Sequence, residues 1–510
     1  MTITKQNKHF DVAIIGGGIN GVGIAAEAAQ RGLKVFLCEQ GDLGSGTSSK
    51  SSKLIHGGLR YLEHFEFRLV KEALGERDVL LKKAPHITWP LRFFLPYSNQ
   101  YRPKWLIRLG LFLYDHLASR QALQPSRSHI LPQNSPLKLE FNRGFEYSDV
   151  WVDDSRLVIL NAIQARDHAA EIRTRTKCTS AKRQGDQWLL ALEGDKGEKQ
   201  LTAQVLINAA GPFVSVVDKN VIGAEQAPNI RLVKGSHLVV PKLYQSEQAF
   251  IFQNEDKRVV FVLPYEKDFT LVGTTDVDAS GSDDVEVSQA EVDYLLALVN
   301  RHFNRSVSES DIVHKFAGVR PLLFEQEQAA QAVSRDYKVM VDAAVGAPPV
   351  VTIVGGKITT YRKLAESTVD KLERFFPSLG PSRSAELPLA GGDFANKAEL
   401  DAKLQLEFSF LPEGLRSRFV RTYGTLCFEF LMGTTSLAEL GEDFGAGLYE
   451  AEVRYLIDNE WAMTADDVLW RRSKLGLRLT GLQMNQLQQF IQDVLREDLI
   501  TSSTKCHRRV

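Results

Sequence analysis

An α/β fold that opens on a βαβ unit and closes on an all-helical tail is predicted for these 510 residues by three observations. The apolar run Phe10 to Ile15 leads straight into Gly16-Gly17-Gly18-Ile19-Asn20-Gly21. A second buried-type strand, Pro349 to Val354, runs into Gly355-Gly356-Lys357 and a helix, so the strand–glycine–helix turn occurs twice. From about residue 393 to Val510 there are few β-branched runs and several amphipathic stretches, the pattern of packed helices.

Composition sets the outer limits. At about 150 residues per domain the length allows two to four domains, enough to enclose a ligand. A formal charge of −1, with 25% charged and 44% hydrophobic residues, argues against wrapping nucleic acid and against disorder. Cys38, Cys178, Cys427 and Cys506 lie far apart, with no CxxC and no zinc-like spacing. A reducing compartment and no structural metal are expected. No run approaches the ~18 apolar residues of a membrane span. Met1 to His9 is a short polar tail without the pattern of a signal peptide.

The opening unit can be justified part by part. Gly16 permits the tight turn, Gly18 lets the backbone approach a pyrophosphate, and Gly21 lets helix and strand pack closely. The helix after them turns free N–H groups and a positive dipole end toward phosphate. Lys34 to Cys38 is the second strand, and Glu39 closes it where a carboxylate accepts from adenosine ribose hydroxyls. These parts predict a dinucleotide site. The choice between NAD and FAD turns on the later segments. Val205 to Asn208 is a strand entering a turn at Ala210-Gly211-Pro212, and Gly355-Gly356-Lys357-Ile358-Thr359 opens a second helix N-terminus toward the ligand. A flavin needs such a dipole near its N1/O2 edge, so FAD is the favoured cofactor.

Beyond Glu39 the chain reads Thr47-Ser48-Ser49-Lys50-Ser51-Ser52-Lys53-Leu54-Ile55-His56-Gly57-Gly58-Leu59-Arg60-Tyr61. With Gly355 to Ala365, Phe145 to Asp149, Trp151 to Arg156, Lys234 to His237, Gly273 to Asp276, Gly318 to Pro321, Ser334 to Tyr337 and Ala465 to Gly476, it resembles the bacterial FAD-dependent, respiratory glycerol-3-phosphate dehydrogenases. The resemblance implies oxidation of sn-glycerol 3-phosphate to dihydroxyacetone phosphate by hydride transfer to FAD, with electrons passed to membrane quinone. It implies a Rossmann-type FAD domain of the D-amino-acid-oxidase-like kind, an antiparallel-sheet substrate domain and an all-α C-terminal cap. The expected segments are 10–75, 149–230 and 340–392 for the FAD domain. The substrate domain takes 76–148 and 231–339, and the cap takes 393–510.

The chemistry needs a base for the hydroxyl proton, cations for a phosphate dianion, and exclusion of water. His56 and His237 are the base candidates, because an imidazole titrates near neutrality. Arg60, Arg320, Arg335 and Lys357 are the cation candidates for the substrate, with Arg320 counted among the catalytic residues, and Tyr61 is a hydrogen-bonding pocket residue. Thr47, Ser48 and Ser49 are expected to contact FAD together with Gly16, Gly18, Gly21, Glu39, Ala210, Gly211, Gly356, Lys357 and Thr359.

Residues 92 to 127 carry six Lys/Arg against a single acid, Asp115, around the apolar run Trp105 to Tyr114. That is the composition of a helix lying in a headgroup layer. The expected location is cytoplasmic, peripherally attached to the inner face of the cell membrane. The alternative is an oxidase on the same substrate using O2; the resembling oxidases carry an extra insertion for which this chain has little room. An amine-oxidising relative and a redox-silent FAD module are the more distant readings, and a homodimer is left open.

Overall fold

The computed structural model describes residues 8–97, 103–118, 123–194, 197–254, 256, 258–283, 285–324 and 336–507, with backbone alone for residues 60, 63, 64 and 498–507. Among these, two sheets and a helical unit make up the molecule.

The first sheet is built from the strands that sequence pattern marks as apolar throughout. Its parallel part runs in the order Val350–Gly355, Lys199–Asn208, Lys8–Ile15, Val35–Cys38, Glu171–Arg173. Continuous apolar strands suit a parallel sheet, which is buried on both faces. Tyr337–Asp342 adds an antiparallel edge, and the hairpin Thr176–Gln184/Gln187–Gly194 continues from Lys199–Asn208. Ile15 is level with both Asn208 and Cys38, so three strands end side by side. The crevice beyond such carboxyl ends is where ligands of open α/β sheets bind. The helices Ile19–Gln30, Asp154–Asp167 and Tyr361–Asp370 pack together beneath one face. Gly23 makes this possible, since a Cβ there would stand 2.8 Å from the Tyr361 ring.

The second sheet has ten strands among the described residues. Ile230–Pro241 and His314–Leu323 pair antiparallel over ten residues, and Thr88–Pro96 pairs with Arg143–Val152 over nine. One junction departs from the expected antiparallel pattern: Ala249–Gln253 joins Thr88–Pro96 in parallel. Both faces are covered, one by the helix Gln289–His302 and the other by Lys104–His116. The segment boundaries shift accordingly. Leu54–Ile55 pairs with Trp151 and Val150 in this second sheet, and Arg143–Val152 stays in it beyond residue 148. Tyr337 already belongs to the first sheet.

From Lys397 onward the chain is helical and closes its own core around Phe419, Tyr423, Leu431, Leu456 and Leu487. Buried ions fix it to the rest. Arg156, 0% exposed, forms a two-pronged pair with Glu460, one contact at 2.9 Å, and its Nε donates to the Thr422 carbonyl at 3.1 Å. Removing one partner of such a pair strands a buried charge.

Candidate active site

A cavity of about 1660 Å³ runs from the carboxyl ends of the first sheet to the inner face of the second. Gly16, Gly18, Glu39, Thr47, Ser48, Ala210, Gly211, Gly356, Lys357 and Thr359 all line it, as do His56, Tyr61 and Arg320.

The first-sheet side is shaped by what side chains would obstruct. Gly16 has φ +115°, a conformation L side chains rarely adopt, and a Cβ on it would meet the Ala209 carbonyl at 2.6 Å. Gly21 lies off the wall; its Cβ would sit 1.9 Å from the Gly16 oxygen, so its task is helix-to-turn packing. Glu39 accepts from the N–H groups of Gly17 at 2.7 Å and Gly41 at 2.8 Å. Burial raises its carboxyl above the usual range while those two backbone donors pull it down. Ser48 Oγ accepts from Ile19 N–H at 3.0 Å, tying the serine loop to the helix start, and Thr47 Oγ1 donates to the Val319 carbonyl at 2.5 Å. A bare glycine N-cap, a carboxylate at the second strand's end and a long adjoining cleft fit the adenosine, pyrophosphate and flavin parts of FAD. At the far end Asn20 Nδ2 donates to the Gly355 carbonyl at 3.1 Å, joining the two glycine turns.

The second-sheet side carries the charge. Arg320 donates through Nη1 to Asp276 at 2.6 Å and through Nη2 to Thr274 Oγ1 at 3.1 Å. The Lys357 ammonium stands 3.6 Å from the centroid of the Tyr61 ring, a close cation–π contact. Lys50, another wall residue, has its ammonium held below the usual range by burial and by Lys53. His56 faces the cavity opposite Phe261, ring centroids 6.2 Å apart.

Four expected site residues need correction or restriction. His237 does not reach the wall. It is 1% exposed, stacked on Phe316 with centroids 4.9 Å apart, and its Nε2 meets Ser52 Oγ at 2.9 Å. Burial, then the charges of Arg320 and Lys53, hold its imidazole well below the usual histidine range, so it is neutral. Ser49 is also off the wall, its carbonyl accepting from Lys53 at 3.2 Å. Arg60 is described in backbone only, within the turn Leu59–His64, and Arg335 lies outside the described residues.

The structure adds a residue that sequence reasoning left without a role. Asp149, in the run Phe145 to Asp149, accepts from Tyr114 Oη at 2.6 Å and from Arg77 at 3.1 Å, while Tyr114 Oη accepts from Gly57 N–H at 2.8 Å. This chain fixes the backbone one residue from His56. Burial pushes the Asp149 carboxyl up to about 6 against the pull of Arg77. A carboxyl that binds its proton more tightly folded than unfolded lowers stability as pH rises from about 4 to about 6. Asp149→Asn removes that slope. Relative to wild type, the variant should gain about 2–3 kcal/mol between pH 4 and pH 7 in denaturant titrations; a pH-independent difference would refute a titrating Asp149.

A glycine-turned parallel sheet, the Glu39 carboxylate at the end of its second strand and a cation-lined second sheet share one cavity, the arrangement of a flavin-dependent oxidoreductase. The comparisons agree. Residues 11–362 match the family described as FAD dependent oxidoreductase, and 382–505 match the C-terminal domain of alpha-glycerophosphate oxidase. The glycerol-3-phosphate dehydrogenase of Pseudomonas aeruginosa is 53% identical over 95% of each chain. The D-erythritol 1-phosphate dehydrogenase of Brucella abortus is 48% identical over 92% of this chain and 95% of its own. The glycerol-3-phosphate dehydrogenase from Bacillus halodurans, solved with FAD, superimposes with a TM-score of 0.71 at 26% identity, over 96% of this chain and 90% of that one. The chain belongs to the FAD-dependent glycerol-3-phosphate dehydrogenases.

Proposed function

We propose that this enzyme oxidises sn-glycerol 3-phosphate to dihydroxyacetone phosphate and passes the electrons to membrane quinone. One observation carries the reading: a single cavity joins a cationic inner wall to an apolar, exposed mouth. Lys50, Arg320 and Lys357 line the inside. Phe65, Leu106 and Leu109 line the mouth and are 80%, 41% and 47% exposed. Bound FAD supplies the two-electron acceptor. Arg320 and Lys357 hold the phosphate dianion, and Tyr61 orients the substrate with its hydroxyl. His56 takes the alcohol proton on its imidazole. The Asp149–Tyr114–Gly57 chain keeps that histidine's loop in place, and Phe261 and Phe316 exclude water.

The test is an anaerobic titration of the holoenzyme with glycerol 3-phosphate, followed by reoxidation with a short-chain quinone or with O2. Bleaching of the yellow band by glycerol 3-phosphate and not by glycerol supports the substrate. Reoxidation much faster with quinone supports the acceptor, whereas equal or faster reoxidation by O2 promotes the oxidase. The Brucella abortus relative motivates a second substrate, D-erythritol 1-phosphate, a one-carbon-longer polyol phosphate. If it gives the larger kcat/KM, the substrate assignment moves to it.

The helix Lys104–His116 supports attachment to the bilayer. It buries Leu111, Tyr114 and Asp115, and presents Trp105, 67% exposed, and Phe112, 50% exposed, beside Lys104 and Arg108. No helix among the described residues is long and apolar enough to cross a membrane, so contact through this face is interfacial. Trp105→Glu combined with Phe112→Glu is expected to weaken binding to anionic phospholipid vesicles about tenfold or more, read by co-sedimentation. Turnover with a water-soluble acceptor should be retained. Undiminished sedimentation would remove this helix from the membrane contact.

A further inference from the structure

The Glu39 end of the cavity is walled by the C-terminal helical unit, which contributes Thr464, Asp466, Asp467 and Arg471. These residues sit in and before a π-helical turn, Asp467–Arg472, a rare geometry that recurs at functional sites. What they grip is specific. Asp42, 3% exposed and three residues past Glu39, receives Arg471 Nε at 2.5 Å and Arg472 Nη2 at 2.9 Å, with a further Arg472 contact on its other oxygen. Arg175 donates to Asp467 at 2.5 Å, and Asp467 in turn pairs with Arg471, so the contacts run continuously to Asp42. Arg175 and Thr176 are themselves the backbone partners of the Glu39 turn: Thr176 N–H donates to the Glu39 carbonyl at 2.8 Å and Arg175 N–H to the Gly41 carbonyl at 2.9 Å. Asp467 is anchored in turn by the N–H groups of Met463 at 2.8 Å and Thr464 at 3.0 Å.

We propose that the C-terminal helical unit is a retention clamp for FAD, holding Asp42 through Arg471 and Arg472 and Arg175 through Asp467 so that Glu39 stays aimed at the ribose. The inference rests on the reading that the Glu39 end of the cavity takes the adenosine half of the cofactor. Two guanidinium groups on one buried carboxylate make Asp42 immobile, because neither charge has water to fall back on. The clamp bears on the loop that carries the ribose ligand and not on the reacting end. Loosening it therefore speeds the escape of FAD.

The test uses the full-length holoenzyme and follows FAD release and rebinding by flavin fluorescence, independent of turnover. Arg175→Met and Asp42→Asn are each expected to raise the FAD dissociation constant about tenfold or more. Arg175 is part-exposed, so its variant serves if Asp42→Asn fails to fold. Arg478→Met is the control. It breaks the 2.6 Å pair with Asp268, another tie between the helical unit and the second sheet that lies off the cavity wall. It should leave the constant within about twofold. Unchanged FAD affinity in Arg175→Met, or an equal loss in Arg478→Met, overturns the clamp in favour of simple cohesion between units. Glu39→Gln separates the premises. If it does not weaken FAD, the adenosine placement fails and the clamp with it; if it does while Arg175→Met and Asp42→Asn do not, only the clamp fails.

Discussion

Replacing His56 by Ala is expected to slow anaerobic flavin reduction by glycerol 3-phosphate about 10²- to 10⁴-fold, the range over which a positioned base acts. The FAD content should stay as in wild type, because the cofactor-facing glycines and Glu39 are untouched. Of the two histidines in the sequence motifs, His56 is on the cavity wall and His237 is buried off it, stacked on Phe316. His237→Ala should accordingly cost much less, its effect passing only indirectly, through Ser52, which it meets at 2.9 Å, and through the stacked Phe316. Stopped-flow traces of both variants decide the matter. A His237 variant slower than the His56 variant would reverse the assignment.

Arg320→Met should lower kcat/KM about 10²- to 10³-fold. The loss has two sources. The substrate anion loses a nearby cation, and Asp276, whose side chain is 7% exposed, loses the 2.6 Å contact with Arg320 Nη1. Arg320→Lys keeps the charge but cannot span Asp276 and Thr274 together, so it should recover only part of the loss. Steady-state kinetics with glycerol 3-phosphate measure both; a methionine variant within threefold of wild type would remove Arg320 from the site.

The opening βαβ unit was legible because nearly every signal in it is local. Gly21 clears the Gly16 carbonyl and Glu39 accepts from Gly17 and Gly41, all within about two dozen residues, although the clearance of Gly16 against Ala209 is a contact between distant segments. The strand into Ala210-Gly211 and the turn at Gly355-Gly356 read the same way. Contacts between distant segments left no such mark. Nothing around Asp42 announces two arginines from the other end of the chain, and Asp149 gains its meaning from Tyr114, on a helix whose apolar residues read as a membrane face. His237 illustrates a subtler limit. Its motif fits a site, yet only the pairing of Ile230–Pro241 with His314–Leu323 shows that its ring is stacked on Phe316 and buried beside the wall rather than part of it. The substrate sheet likewise begins at Leu54–Ile55, two residues too short to register as a strand.

The reach of the Asp42 contact has a consequence for biosynthesis. Arg472 follows Asp42 by 430 positions. At ribosomal rates of 5–20 residues per second, about 20–90 s separate the two. Throughout that interval the growing chain carries a finished glycine turn and an acid whose partners have yet to be made. The central strand Lys8–Ile15 must also wait, until Lys199–Asn208 has emerged to pair with it. A nascent enzyme of this design spends most of its synthesis with a half-built nucleotide crevice.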